Sequence, residues 1–411
     1  MKILYVVHEF FPQHYTGTAR FGLNLATQMQ KMGNTIKILT YGETETENLT
    51  PFGKINYKKY LFNNLEIWSF RHVDIVPRVH FDIFDPEIQE DIYQLIEQEK
   101  LNDVDVVHII HPLRTGIIAQ YFYSKKIPLI LTLTDYWTIC PRVQLLKIDD
   151  SICNGPLVSK CANECEYPSD SIKERMKFSK ILMNYAKMIT VPSSMVKQIF
   201  TMNGSSMDKF YVINHGLNYQ NFQIKPRKKL IKNDPIVFGY VGPILMPKGI
   251  ELLINAFMKV PNKKLSLKIY GSCLNQNEYF MHLKKIAGLD PRIEFMGEYR
   301  YENLPEILSG IDVEIFSSIW YETYCLALLE GLAHNVPIIA SDTIGSAVEF
   351  IDNNKSGLLF KSKDIEQLIN LIKQISEDPQ KLNEIAKQII YPPRIEEEAI
   401  TYEQLYRKAI R

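Results

Sequence analysis

Two glutamates, Glu322 and Glu330, lie eight positions apart in the run Ser317-Ser-Ile-Trp-Tyr-Glu322-Thr-Tyr-Cys-Leu-Ala-Leu-Leu-Glu330-Gly331. The first falls in a loop after an apolar strand-like run and the second about two turns into the helix that follows. At such a helix start the backbone N–H groups of Thr323, Tyr324 and Cys325 have no helical partner and can cradle a diphosphate, helped by the helix dipole. A carboxylate at each end can accept hydrogen bonds from sugar hydroxyls. Taken alone, the spacing equally fits a dipole-compensating Glu322 and a solvated Glu330. Lys248 stands after another strand and loop, between Gly242 and Gly249, at the start of a helix, where an ammonium group can neutralise a diphosphate. Gly17 opens the first helix and lets a phosphate or sugar approach the backbone closely, although it also serves as a turn glycine. His111 follows the run 104–110 and is either structural or aimed at a ligand.

These residues need elements that present them. The run 2–8 is a short continuous apolar stretch, as a buried parallel strand shows. Apolar residues from Ala19 to Met32 recur at helical spacing, Gly33 ends the helix, and 35–40 is the next strand, which completes one βαβ unit. The rhythm returns at 104–110, 115–124 and 128–133, then in a helix over 171–186 and strands at 188–191 and 212–214. The aromatic and basic segment 43–85 lacks it and reads as extra strands and loops. The stretch holding Lys225, Pro226, Arg227, Lys228, Lys229, Lys232 and Pro235 reads as an inter-domain linker. Beyond it strands are predicted at 236–241, 265–270, 293–296, 313–316, 337–340 and 357–360, with a helix over 249–257. The expected fold class is α/β, two Rossmann-like doubly wound domains facing a cleft, with ligands at the carboxyl ends of the strands. The domains are expected over 1–217 and 218–391, with a C-terminal helix over 392–411 crossing back to the first.

The 411 residues carry 47 basic and 47 acidic side chains, so nothing draws the chain electrostatically to nucleic acid. No apolar run approaches the length of a bilayer span. Glu9 interrupts the first apolar run, which reads as a strand and not a leader, and the expected location is cytoplasmic.

The chain resembles the retaining glycosyltransferases of family 4, which have the GT-B architecture, in motifs that run nearly end to end. They are the first strand with the Gly17 loop; Asp105-Val-Val-His108; Thr132-Leu-Thr-Asp135-Tyr-Trp137; Ile213-Asn-His-Gly216; Gly239-Tyr-Val-Gly242 through Lys248-Gly249; Tyr270-Gly271; Phe295-Met-Gly297; and the paired-glutamate segment. The resemblance implies a metal-independent hexosyltransferase. A nucleotide-diphosphate-sugar co-substrate would have Glu322 at the transferred sugar, Glu330 at the ribose, Glu298 and Tyr299 near the base, and Lys248 on the departing diphosphate. The amides of Thr323, Tyr324 and Cys325 would hold the phosphates, with Gly17 and His111 over the sugar. Catalytic work then falls to His111, Lys248 and Glu322. The acceptor would be a glycan or lipid-linked glycan in surface polysaccharide synthesis. Two rivals share the architecture, a nucleotide-sugar epimerase and a non-catalytic homologue that binds a glycan or a partner enzyme. Two departures bear on them: relatives often place an arginine where Pro243 stands, and His-Asp-Tyr-Trp where Thr134 precedes Asp135.

Asp103-Val-Asp105 looks like a metal-binding carboxylate pair but sits at the beginning of a strand, away from the ligand edge, and no catalytic metal is implied. Cys140, Cys153, Cys161 and Cys165 are four potential thiolates for a structural zinc, yet their spacing is not that of a standard zinc module and free buried cysteines are the alternative. No cofactor is assigned. Lys173, Lys177, Lys180 and Lys187 line a helix that reads as core packing with a solvated lysine face; the other reading is peripheral contact with an anionic membrane.

Overall fold

The computed structural model describes residues 1–42, 47–74, 80–219, 227–273 and 276–411. The chain forms two compact units, one of Met1–Pro192, Val196–Gly216 and Ile395–Arg411, the other of Ser193–Met195 and Leu217–Arg394.

In chain order the first part runs β1 (Lys2–Val7), α1 (Gly17–Lys31), β2 (Thr35–Tyr41), β3 (Thr50–Phe52), β4 (Ile55–Phe62), β5 (Leu65–His72), α2 (Gln89–Gln98), β6 (Val106–Ile109), α3 (Gly116–Ser124) and β7 (Leu129–Thr132). It continues with α4 (Val158–Cys165), α5 (Ser169–Tyr185), β8 (Met188–Val191), α6 (Ser194–Met202) and β9 (Phe210–Val212). Among the described residues these strands make one sheet in the order β3-β4-β5-β2-β1-β6-β7-β8-β9. All neighbours are parallel except the pairs β3–β4 and β4–β5. The aromatic segment thus adds β5 to the parallel sheet beside β2 and hangs a hairpin outside it. β4 hides that role in the sequence because it is mostly half-buried and carries Lys58-Lys59 in its middle, without a clean apolar rhythm. Residues 43–46 and 75–79 of the segment lie outside the described residues.

The second unit follows with β10 (Ile236–Val241), α7 (Ile250–Met258), β11 (Leu265–Tyr270), α8 (Asn277–Ala287), β12 (Ile293–Gly297), α9 (Leu304–Ser309), β13 (Val313–Phe316), α10 (Leu326–Ala333), β14 (Ile338–Ser341), α11 (Gly345–Phe350), β15 (Leu358–Phe360), α12 (Ile365–Glu377) and α13 (Gln380–Ala386). Its strands form a parallel sheet in the order β12-β11-β10-β13-β14-β15. Buried Phe238, Phe257, Leu328, Leu332 and Ile339 belong to its core.

One expectation needs correction. Of the stretch read as a linker, Lys225 and Pro226 lie outside the described residues, and Lys228, Lys229, Lys232 and Pro235 are exposed, but Arg227 and Leu230 hold the stretch on the second unit. The Arg227 guanidinium donates to Ile311 O at 2.6 Å and Asp312 O at 3.0 Å. Buried Leu230 exchanges hydrogen bonds with the Asn383 side chain, and Lys228 pairs with Asp234 at 3.1 Å. A Pro-containing polar composition cannot distinguish a free linker from a strap whose charges find fixed partners.

α14 (Ile395–Ile410) closes the chain and packs in the first unit. Its buried face carries Ala399, Tyr402, Leu405, Tyr406 and Ala409 into the core with Ile3, Tyr5 and Phe21. Polar atoms at the seam are paired. Tyr406 OH lies 3.1 Å from Tyr5 OH and 2.7 Å from His108 Nδ1, while His108 Nε2 meets Thr132 Oγ1 at 2.6 Å. Glu398 accepts the Gly216 N–H at 2.7 Å and meets His215 at 3.0 Å. A buried polar network of this kind is stable only when its members are satisfied.

Burial drives the His108 pKa down to about 3, so this ring stays neutral in the folded chain at neutral pH. The unfolded chain protonates near 6.5 and therefore binds more protons between these values, so stability is present above 6.5 and is lost as pH falls through the window. Thermal unfolding of His108→Gln at about pH 4 to 6 is expected to show a slope of stability against pH shallower than wild type by close to one proton. An unchanged slope would mean that His108 is not the group responsible.

Candidate functional site

In an open parallel sheet, ligands bind beyond the carboxyl ends of the strands where the strand order reverses. In the second unit that point lies between β10 and β13, because β11 and β12 lie on one side and β14 and β15 on the other. The loops leaving β10 and β13 carry Lys248 and Glu322.

They are sewn together by their backbones. Ile319 N donates to Pro247 O at 2.9 Å, and Ser317 Oγ donates to Gly249 O at 2.8 Å. Gly249 adopts φ +67°, and a Cβ there would overlap the Ser317 carbonyl, so only glycine fits. The turn Met246–Lys248 ends at this glycine and turns Lys248 toward Glu322. Lys248 Nζ donates to Glu322 Oε1, and Ser318 Oγ donates to Glu322 Oε2. The Glu322 side chain is 5 % exposed and that of Lys248 18 %. Burial works against the lysine charge, but the Glu322 carboxylate outweighs it and holds the Lys248 pKa above its ordinary value. A fixed ammonium with a carboxylate on one side is thus built into the ligand edge.

The Glu322 backbone is fixed as well. Its N–H reaches Thr343 O at 2.9 Å, and its carbonyl accepts the Gly345 N–H at 2.8 Å. α10 begins four residues after Glu322, with Cys325 as its N-cap. At the cap the Cys325 N–H, expected to face phosphate, donates to Ser346 Oγ at 3.2 Å. Its thiol is buried beside Glu322, and burial together with that carboxylate pushes its pKa far up, leaving a neutral S–H. Thr323 and Glu330 are buried, and Tyr324 is half-buried at the same end of α10. Glu298 is exposed directly after β12. Pro243, where an arginine was the alternative, accepts the Tyr240 hydroxyl at 2.7 Å through its carbonyl.

In the first unit the strand order reverses between β1 and β6. His8 and Glu9 follow β1, and His111 follows β6. His111 Nε2 lies 2.8 Å from Asp135 Oδ2, and the Leu113 N–H donates to His111 Nδ1 at 3.1 Å. An amide can only donate, so Nδ1 is bare and Nε2 carries the proton. His111 is therefore a buried donor to Asp135 with both nitrogens used, and the carboxylate is the more accessible member at 25 % exposure. Gly17 starts α1 at an exposed position behind the Thr16 N-cap. Sequence reasoning passed over His8, Glu9 and His14. The available signal was the sudden change from an apolar run to His8-Glu9, because residues just past a parallel strand face the ligand edge.

Other sequence candidates are placed elsewhere. Asp103 pairs with Lys2 Nζ at 2.9 Å, and Asp105 accepts the Lys2 N–H at 2.8 Å, so both serve the start of β1. Cys140, Cys153, Cys161 and Cys165 are free thiols, and among the described residues no three His, Cys, Asp or Glu side chains are arranged to hold a metal. On α5 Lys173, Lys177 and Lys180 are exposed while Ile172, Arg175, Ser179 and Leu182 are buried. No helix among the described residues is long and apolar enough to cross a membrane.

Residues 221–390 match the family model of the glycosyl transferases, group 1, which covers nearly all of the second unit. The chain is 22 % identical over 380 residues to the uncharacterized glycosyltransferase MJ1607 of Methanocaldococcus jannaschii, covering 90 % of this chain and 87 % of that protein. It is 26 % identical over 215 residues to the capsular polysaccharide biosynthesis glycosyltransferase CapM of Staphylococcus aureus, covering 46 % of this chain and 52 % of that one. The crystal structure of Anabaena HepE with UDP and glucose superimposes with a TM-score of 0.69 at 15 % identity, over 99 % of this chain and all of that one. The fold is therefore the GT-B type with two Rossmann-like domains, and the second unit is of the group 1 glycosyltransferase type.

Breaking one partner of a buried ion pair strands the other's charge. Lys248→Met is expected to cost about 3 kcal/mol, and Lys248→Met with Glu322→Gln to recover most of it. Urea unfolding of both variants checks this, and equal losses would show that the two side chains are not coupled.

Proposed function

We propose that the chain is a retaining glycosyltransferase that takes a sugar from a nucleoside-diphosphate donor and passes it to a glycan or lipid-linked glycan in surface polysaccharide synthesis. The observation that carries this reading is the buried Lys248–Glu322 pair at the start of α10, at the strand-order reversal of the unit that matches the group 1 model. Such a place suits a diphosphate because a fixed cation and helix-end amides meet there. The presence of UDP and glucose in HepE and the capsular role in the name of CapM support the substrate classes.

In this reading Lys248 and the amides of Thr323 and Tyr324 hold the diphosphate. As the bond between the sugar C1 and the phosphate oxygen breaks, charge accumulates on the departing diphosphate. An ammonium already fixed there stabilises the transition state more than the ground state. Because this countercharge is part of the chain, the reaction is expected to need no divalent ion. Glu322, held by Lys248 and Ser318, contacts hydroxyls of the transferred sugar, Glu330 binds the ribose, and Glu298 lies near the base. Both Glu322 oxygens are engaged, which suits a hydrogen-bond acceptor better than a covalent nucleophile. The proposed displacement therefore occurs on one face: the acceptor oxygen bonds to C1 while the leaving phosphate oxygen takes its proton. His111 contributes through the carboxylate it orients, Asp135, and Gly17 keeps the approach to α1 open.

UDP, GDP and ADP tested by thermal shift in the presence of EDTA distinguish the bases, since a ligand of the folded state raises the melting temperature. One nucleotide is expected to stabilise the chain, and Glu330→Ala is expected to weaken that binding about 10- to 100-fold. No shift with any nucleotide would sink the donor assignment.

A further inference from the structure

The strand-order reversal of the first unit is lined by groups of one chemical kind. Asp135 Oδ2 is held by His111 Nε2 at 2.8 Å and Oδ1 by the Trp137 N–H at 2.8 Å. Each oxygen keeps a second acceptor direction. Glu9 lies between His8 Nε2 and His14 Nδ1, each at 3.4 Å, and is 18 % exposed. The His8 and His111 rings lie 4.1 Å apart, tilted by 42°, and join the two carboxylates into one cluster.

The two carboxylates of this cluster are set to accept. Burial alone would raise the Asp135 pKa, but the His111 contact and the Trp137 amide hold it below the ordinary carboxylate value. Glu9 likewise is held at about 2 by His8, Thr16 and His14 against its burial. His8 is kept neutral by burial and by His111, with a pKa of about 4. Buried His8 Nδ1 and His14 Nε2 have no hydrogen-bond partner among the described residues. The buried guanidinium of Arg175 lies behind Asp135, but both of its terminal nitrogens donate to carbonyls, those of Phe81 and Trp137. Beside the cluster a Cβ at Gly17 would meet nothing within 4 Å, so the edge is open there. A pair of carboxylates held ionised in this way needs a ligand that brings its own protons. Vicinal sugar hydroxyls supply them, whereas a phosphate oxygen supplies none and is repelled.

We propose that Glu9 and Asp135 form a hydroxyl-reading saccharide subsite that takes an uncharged acceptor sugar and rejects a phosphorylated one. This deepens the glycosyltransferase reading, on which it rests, by naming the acceptor class. It also divides the ligand edges by charge: the cationic edge of the second unit takes the diphosphate, and the anionic edge of the first takes bare hydroxyls.

The test uses the full chain saturated with UDP. Methyl glucoside, methyl galactoside, methyl mannoside and N-acetylglucosamine are titrated beside glucose 6-phosphate, galactose 6-phosphate, mannose 6-phosphate and N-acetylglucosamine 6-phosphate, and binding is followed by saturation-transfer NMR. At least one neutral sugar is expected to bind, with its phosphate about 10-fold weaker or more. Glu9→Gln and Asp135→Asn, nearly isosteric and each verified by its melting curve, are expected to weaken the neutral sugar about 10-fold and to narrow the discrimination, with UDP affinity unchanged. Tighter binding of the phosphates, unaltered binding in both variants, or no binding of any sugar would each overturn the proposal. Failure of the donor reading is seen separately, as absence of UDP binding by wild type.

Discussion

A lysine and a glutamate removed from water must find each other or lose their charges, and the second unit is arranged so that they do. Lys248 and Glu322 come from loops seventy-four positions apart. Their meeting requires the two loops to be locked together, by the Ile319 N–H on Pro247 O and the Ser317 hydroxyl on Gly249 O. It requires glycine at 249, where any side chain would strike the Ser317 carbonyl. The Glu322 backbone is pinned in turn by Thr343 and Gly345 after β14, so three consecutive strands of the sheet, β10, β13 and β14, hold one ion pair. The desolvation cost of burying both charges is offset only if this geometry is kept. The result is a cation whose position is set before any ligand arrives, which is the condition for electrostatic preorganisation.

The two units solve the same topological problem with opposite electrostatics. Each sheet reverses its strand order next to its first strand, and each presents polar residues from the loops at that reversal. In the second unit the loops bring a lysine and a helix start. In the first the loops after β1 and β6 bring Glu9 and three histidines, the loop after the neighbouring β7 brings Asp135, and the tautomer of His111 is dictated by an amide that can only donate. The hydrogen-bond inventory, more than the shape of the sheet, separates the edge proposed for an anion from the edge proposed for hydroxyls.

Helix α14 gives the first unit its buried polar seam. Tyr402, Tyr406 and Glu398 reach Thr190, His108, His215 and the backbone of Gly216. Residues nearly the length of the chain apart share one network, and the neutral state of His108 within it makes the seam sensitive to acid.

Hydrophobic rhythm and glycine placement alone determined much of this protein. Continuous apolar runs are what a strand buried on both faces must look like, so 188–191 and 236–241 were legible to the residue, and 265–270 was legible from the alternation of a half-buried strand. Lys248 before a glycine and Glu322 before a helix were visible as candidates, but their spacing fitted a helix-dipole role as well as a ligand. Tertiary structure decided the rest. It alone showed that Arg227 is packed and not part of a free linker, since a guanidinium's fate depends on carbonyls far along the chain. It showed that the Cys325 amide is taken by Ser346, that the four clustered cysteines are not arranged for a metal, and that Asp135 is more accessible than His111. Pattern reports which groups a segment carries. Which groups remain available is set by partners from other segments, and no local spacing encodes those partners.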